Sequence, residues 1–260
     1  MNVAILTGAS AGLGAEYLHA ICKSRQDIDQ IWLIARRAEP MQRLADAYPD
    51  RQIRVLAMDL TEEESYQALE RLLLEEKPSV RLLICNAGCG RLGDVITENW
   101  QDQIRQTKLN VTALTAVTNI VLKHMPTKVE KGENKPAIIQ ICSIASFCPN
   151  PRMTVYCSTK SYVLSYAKSL GFELRKTDIN VHCVCPGPMD TEFLGVAGIE
   201  KGSSHTFDTL PRTNPAKVAE KSLAIALRRR GVYTPRAFFK LYRVLAKLLP
   251  HRLMMHIAKT

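Results

Sequence analysis

The chain has 260 residues, 46% of them apolar and 23% charged, which is ordinary globular usage and excludes a disordered or low-complexity polymer. No charge-free apolar run reaches the roughly 18 residues of a membrane span. The formal net charge is +10, but the last acidic residue is Glu220 and the ten basic residues beyond it carry the whole excess. A neutral body with a basic tail confines any electrostatic role to the tail, where the scarcity of aromatic and base-reading residues argues against nucleic acid as a partner. The opening MNVAILTGAS has no basic n-region and no small-residue cleavage site, so a cytoplasmic protein is expected.

Apolar runs at 3–7, 31–35, 54–58, 81–85, 137–142 and 181–185, with a shorter one at 231–234, read as buried strands. Between them, 13–25, 40–47, 62–76, 99–124, 154–176 and 214–229 read as helices. Strands alternating with helices predict one α/β domain, a doubly wound parallel sheet with helices on both faces, over residues 1–235. The segment 128–137 is a polar surface loop. The long stretch 187–213 is expected to act as a lid, with 188–212 as its substrate loop. Residues 236–260 form a basic amphipathic extension: Arg236, Lys240, Arg243 and Lys247 make one stripe, and most of the remaining surface is apolar. So wide an apolar face calls for burial in the core, against a second subunit or in a membrane interface. The eight cysteines lack a Cys-x2-Cys pair. They are expected to be reduced, mostly buried and dispersed, with Cys183 and Cys185 diverging and no metal bound.

The first strand runs into TGASAGLG at 7–14, with Gly8, Gly12 and Gly14 ahead of a helix. Backbone N–H groups and a helix N-terminus converge there, which suits a pyrophosphate, although a tight turn chosen for packing would use the same glycines. The spacing differs from the common Gly-x-Gly-x2-Gly dinucleotide fingerprint while using the same physics. After the second strand no acidic residue falls between Asp29 and Glu39, whereas Arg36 and Arg37 sit just past the strand end. A carboxylate there would take a ribose 2′-hydroxyl; an arginine accommodates a 2′-phosphate. With Ser10 as a further hydroxyl donor, NADP(H) is the expected cofactor, the alternative being that both arginines are solvated surface charges.

Tyr156 and Lys160 lie four residues apart on a predicted helix and share a face. Such a pair arises by chance in a chain of this length, but Ser143 follows the fifth strand and Asn110 sits inside a helical stretch, where an inward amide needs a partner. The chain resembles the short-chain dehydrogenase/reductase family, of the type with about 250 residues, whose fold is Rossmann-like. The resemblance spans residues 1–235 and rests on the glycine turn, on Asp59-Leu60 after the third strand, on Asn86-Ala87-Gly88 ending the fourth, and on PGPMDT at 186–191. Asn110, Ser143, Tyr156 and Lys160 match the family's catalytic tetrad in order and spacing.

The resemblance implies a cofactor site of Gly8, Ser10, Gly12, Leu13, Gly14, Arg36, Arg37, Asp59, Leu60, Asn86, Ala87, Gly88, Tyr156, Lys160, Pro186, Gly187, Met189 and Thr191. It also implies Tyr156 as the acid/base, with its phenol lowered by the Lys160 ammonium and by the positive oxidised nicotinamide, Ser143 orienting the carbonyl, and Asn110 holding a water beside Lys160. Ala11 stands where many NADP-preferring relatives carry a basic residue, and Cys85 where an asparagine is more frequent. Met189, Phe193, Leu194, Val196, Ile199, Phe207 and Leu210, with Phe147, Pro149 and Met153, would line an apolar pocket, or would pack the lid down. The expected reaction interconverts a lipophilic, hydroxysteroid-like ketone and a secondary alcohol. The alternatives are a 3-oxoacyl-thioester reductase and, from another class, a non-catalytic NADP(H)-binding scaffold. A homodimer or homotetramer is expected, with peripheral membrane contact through the basic helix as a further reading of the tail.

Overall fold

A computed structural model of the chain describes residues 1–202, 204–228 and 230–257. Seven strands form one parallel sheet: β1 (Asn2–Thr7), β2 (Gln30–Ala35), β3 (Gln52–Ala57), β4 (Ser79–Cys85), β5 (Ala137–Ile141), β6 (Asn180–Val184) and β7 (Gly231–Tyr233). Their order is β3-β2-β1-β4-β5-β6-β7, the doubly wound arrangement expected from the alternation of elements. The order reverses between β1 and β4, so the chain leaves their C-terminal ends in opposite directions and a crevice opens there.

The period-two alternation of strands divides the core. Val3 and Ile5 of β1 pack on one face with Val80, Leu83, Val117 and Val163; Ala4 and Leu6 pack on the other with Leu18, Leu82, Ile84 and Val218. Helices α1 (Gly12–Ser24) and α2 (Ala38–Asp46) follow β1 and β2, and α3 (Glu63–Glu76) follows β3. The stretch expected as one helix at 99–124 is α4 (Trp100–Thr107), a π-helical turn at Lys108–Ala113, and α5 (Leu114–Leu122). One extra backbone residue in a turn shifts the helical phase, a change too small to read from the side chains of so short a stretch. Helix α6 (Thr154–Glu173) ends in a 3₁₀ turn at Leu174–Lys176.

The loop between β6 and β7 carries two short helices absent from the sequence reading, α7 (Glu192–Val196) and α8 (His205–Thr209). Each is only five residues long, too short to show a periodic pattern. Helix α9 (Pro215–Ala226) begins at Asn214, whose side chain accepts from the Lys217 N–H, with Pro215 in the first turn. It lies against α1, where the Tyr17 and Ser222 hydroxyls hydrogen-bond at 2.6 Å.

The extension forms α10 (Ala237–Leu248) and α11 (His251–Ile257), separated at Pro250. It packs on its own fold: Phe239 is fully buried, and Ala246 and Met254 bury against Cys148. Arg229 and residues 258–260 of the extension lie outside the described residues. Among the described residues no helix is long and apolar enough to cross a membrane.

Ile5 is fully buried at the centre of the sheet, whereas Leu74 on α3 is 57% exposed. Ile5→Ala is expected to lower unfolding free energy by about 2–5 kcal/mol through lost burial and a residual cavity. Leu74→Ala should change it by less than about 0.5 kcal/mol. Urea denaturation of the two variants checks the difference.

Candidate active site

The ends of β1 and β4 are tied together before any side chain of the site is placed. Thr7 Oγ1 accepts from the Asn86 and Ala87 N–H groups, both at 3.1 Å, and Asn86 Nδ2 donates to the Gly8 carbonyl at 2.9 Å. Gly8 has φ +65°, and a Cβ there would lie 2.7 Å from the Ala87 backbone. A Cβ on Gly14 would lie 2.1 Å from the Gly8 carbonyl oxygen, so α1 can start this close to the turn only without one.

Helix α1 begins at Ala11 with no side-chain cap and no acid in its first turn. Its first N–H groups therefore have no capping carboxylate or hydroxyl, unlike those of α9. A glycine cradle that a Cβ would fill, leading into an uncapped helix N-terminus, fits a pyrophosphate. Arg36 stands at the rim of the same cavity. Arg37 instead bridges Glu192 at 2.8 Å and Ser10 Oγ at 3.3 Å, closing the loop over the turn.

Asp59 accepts from the Thr61 N–H and hydroxyl at 3.0 and 2.8 Å. Partial burial pushes its carboxyl up, but those bonds and the Arg36 and Arg105 charges outweigh it and hold it below its ordinary value. Leu60 is buried in the core, and its carbonyl accepts from Tyr66.

Ser143 follows β5, its hydroxyl accepts from the Ala145 N–H at 3.1 Å, and it stands near enough to the Tyr156 phenol to lower it somewhat. Lys160, one turn along α6 from Tyr156, is buried, and its Nζ donates to the Ile141 carbonyl at 2.9 Å. The lysine lies 5.7 Å from the centre of the Tyr156 ring. The expectation that Lys160 lowers the phenol is corrected in the protein alone. Burial pushes Tyr156 above its ordinary range, Ser143 only partly opposing it, and burial lowers Lys160. Desolvation is the largest influence on the phenol, and it favours the neutral form.

Asn110 lies in the π turn. Its Oδ1 accepts from the Cys89 N–H at 2.9 Å, and its Nδ2 donates to the Cys89 carbonyl at 2.8 Å and to Thr159 Oγ1 at 3.0 Å. These bonds fix the segment after β4 against α6, so the amide has a structural partner set that the expected water-holding role did not include. Cys89 and Thr159 carried no motif that could have marked them. A Cβ placed on Gly88 would be 3.1 Å from Asn110 Oδ1 and 3.5 Å from Lys160 Nζ, so all three meet at one point.

One cavity of about 550 Å³ connects these parts. At one end it is lined by Ser10, Gly12, Leu13, Arg36, Asn86 and Gly88; at its middle by Ser143, Tyr156, Lys160, Pro186, Gly187, Met189 and Thr191. Gly8, Gly14, Arg37, Asp59, Leu60, Ala87 and Asn110 are not part of that lining. The far end is apolar, with Met153, Phe193, Leu194, Val196, Phe207 and Leu210 as expected. Ile199 packs beneath the loop, Phe147 turns toward Tyr242, and neither these two nor Pro149 is part of the wall. The sequence reading missed Phe238, Phe239 and Tyr242, through which α10 lines the same cavity. Phe239 sits on Gly187, where a Cβ would come within 2.2 Å of its ring.

The cysteines depart from expectation. Cys183 and Cys185 share a face, as the two-residue period of a strand requires, and their sulfurs lie 3.9 Å apart. With Cys142 they form a buried group whose sulfurs all lie within 4.8 Å of one another. Cys142 donates to the Lys160 carbonyl at 3.1 Å and so braces α6.

Residues 2–200 match the family model described as short chain dehydrogenase. The chain belongs to the short-chain dehydrogenase family. It is an oxidoreductase of that family, with the family's fold. It is 29% identical over 234 residues to the NADP-dependent 3-hydroxy acid dehydrogenase of Schizosaccharomyces pombe, with 88% of each chain covered. A short-chain dehydrogenase from Sphingobium yanoikuyae solved in complex with NADPH superposes with a TM-score of 0.79 at 27% identity, covering 98% of this chain and 95% of that one. The bulky-bulky ketone specific alcohol dehydrogenase from Comamonas testosteroni gives a TM-score of 0.76 at 26% identity, covering 98% and 94%.

The close approach at Gly14 has a measurable consequence. Gly14→Ala is expected to destabilise the fold by about 2 kcal/mol or more, because the new methyl meets a backbone carbonyl that cannot yield. Gly195, around which a Cβ meets nothing within 4 Å, should tolerate alanine without loss. Thermal unfolding of both variants tests the contrast.

Proposed function

We propose that the protein is an NADP(H)-dependent oxidoreductase that interconverts lipophilic ketones and secondary alcohols, hydroxysteroid-like substrates among them. The catalytic body is residues 1–235, with loop 188–212 and α10 closing the substrate end. The observation that carries this reading is the single cavity, running from the glycine turn and Arg36 past Tyr156 into an aromatic and aliphatic chamber. The similarity to an NADP-dependent dehydrogenase and to an NADPH complex supports the cofactor; the similarity to a bulky-ketone dehydrogenase supports the substrate class. Arg91 is paired with Glu98 at 2.9 Å and Arg212 with Asp190 at 3.4 Å, so neither offers an uncompensated charge to a small carboxylate.

In this reading the α1 N-terminus and glycine turn hold the pyrophosphate, and Arg36 holds the 2′-phosphate. Asp59 and the Leu60 backbone face the adenine, and the Met189 backbone and Thr191 hydroxyl take the carboxamide. When bound, the nicotinamide supplies the hydride. Ser143 donates to the substrate oxygen and fixes its position, and Tyr156 delivers the proton to it. Lys160 is released from the Ile141 carbonyl toward the ribose hydroxyls, and Asn110 keeps the strand end and α6 in register around it. The partners are the substrate and further copies of the chain in a dimer or tetramer.

NADPH oxidation against a panel of steroid, acyl and aromatic ketones, with NADH in parallel, tests the reading. Turnover is expected with NADPH on lipophilic ketones. Tyr156→Phe should lower it by about 10²–10⁴-fold while NADPH still binds. Arg36→Ala should raise the KM for NADPH about tenfold or more and leave that for NADH nearly unchanged; a preference for NADH in the unaltered chain would remove Arg36 from the site.

The pH dependence follows from the buried phenol. Reduction needs Tyr156 protonated, and burial holds its value above the ordinary one, so protonation persists through neutral and mildly alkaline pH. The kcat/KM for ketone reduction should therefore stay flat between about pH 6 and 9, while alcohol oxidation, which needs the deprotonated form, rises with pH over the same range. A reduction rate that falls across neutrality would contradict the assignment.

A further inference from the structure

We propose that the outward face of α10 docks on an anionic lipid bilayer and places the mouth of the substrate cavity at its surface. At 3.6 residues per turn, α10 divides into three arcs. Phe239, Tyr242, Ala246 and Leu249 turn inward, onto Gly187 and the Cys148 cluster. Arg236, Lys240, Arg243 and Lys247 make a second, basic arc. Phe238, Leu241, Val244, Leu245 and Leu248 make the third, spanning roughly 120°, and they are 54%, 59%, 50%, 38% and 75% exposed. Leu253 of α11, 49% exposed, prolongs the patch beside Arg252. Single exposed leucines are ordinary on a protein surface; a contiguous row of six large apolar residues on one helix pair is not.

The charge pattern chooses the occupant. The basic arc borders the apolar one along its length, and no acidic residue follows Glu220 in the chain. Arg236 donates to the Arg212 carbonyl and Arg243 to the Val232 carbonyl. Among the described residues, none of Arg236, Lys240, Arg243, Lys247 and Arg252 makes an ion pair. A second copy seated face to face on this patch would bring the same positive arc against itself. An anionic bilayer satisfies both arcs together, with apolar side chains at the acyl boundary and ammonium groups among the headgroups.

Phe238 belongs to both surfaces, lining the cavity and standing half exposed in the apolar arc. A ketone dissolved in the bilayer would thus meet the cavity without crossing water. This delivery rests on the proposed lipophilic substrate; the docking does not.

Sedimentation of the full chain with phosphatidylcholine vesicles, alone or mixed with phosphatidylglycerol, tests the docking. Binding is expected to the mixed vesicles, to weaken at least tenfold without phosphatidylglycerol, and to fall as salt is raised. Leu241→Asp with Leu245→Asp should abolish binding, and Lys240→Glu with Lys247→Glu should abolish the preference for anionic lipid. All four positions are exposed, so thermal midpoints and turnover on a water-soluble ketone should hold in both variants. Absence of binding to mixed vesicles, or full binding by the two aspartate substitutions, overturns the proposal, as does a dimer that those substitutions dissociate in a chain that ignores vesicles. Vesicle binding by a chain that reduces no ketone would leave the docking intact and overturn the substrate reading. In a chain that does both, the mixed vesicles should lower the KM for a membrane-partitioning ketone in the wild type and not in the aspartate variant; an equal KM in both overturns delivery.

Discussion

The site depends on the junction between β1 and β4. Two strands whose chains leave in opposite directions expose a crevice at their ends, and that crevice must be closed without filling it. Thr7 and Asn86 do this with three hydrogen bonds between strand ends, and glycine at positions 8 and 14 lets backbone approach backbone. The start of α1, the position of Arg36 beyond β2 and the direction of the segment after Asn86 all follow from that closure.

Burial sets the chemistry of the second half of the site. A lysine taken out of water costs free energy unless its ammonium is bonded, and Lys160 finds the Ile141 carbonyl. The same desolvation holds Tyr156 neutral. The helix that carries both is braced from below by the Cys142 thiol and from the side by Asn110 through Thr159. A π turn, which re-aims one residue out of helical phase, brings the Asn110 amide to Cys89. Geometry in this region is therefore held by small polar bonds in a dry environment, where each is worth more than at a surface.

The C-terminal extension joins the body chiefly through the roof of the cavity, with Arg243 also bonded to the Val232 carbonyl of the edge strand β7. Phe239 occupies space that any side chain at position 187 would take, and the Phe147 and Tyr242 rings meet beside it at 6.3 Å. Those contacts satisfy about half of the apolar circumference of α10. The remainder faces outward, so the helix lines the cavity on one side and is exposed on the other.

Much of this was legible in the sequence. Apolar runs of strand length separated by amphipathic stretches determined the parallel sheet and its helices, because burial on both faces permits no other pattern. The glycine spacing and Arg36 marked one end of the cavity, and Ser143, Tyr156 and Lys160 its middle, because those positions need particular side chains at fixed places along the elements. What only the tertiary structure decided depends on distance between residues remote in sequence. The three thiols meet because Cys142 directly follows a strand beside the one holding Cys183 and leading to Cys185; Asn110 finds Cys89 through a backbone irregularity too local to read from the side-chain pattern; Phe239 enters the cavity because Gly187 leaves it room, with Phe238 and Tyr242 on the same helix. Local pattern reports which face of an element is apolar, and only packing decides what that face meets.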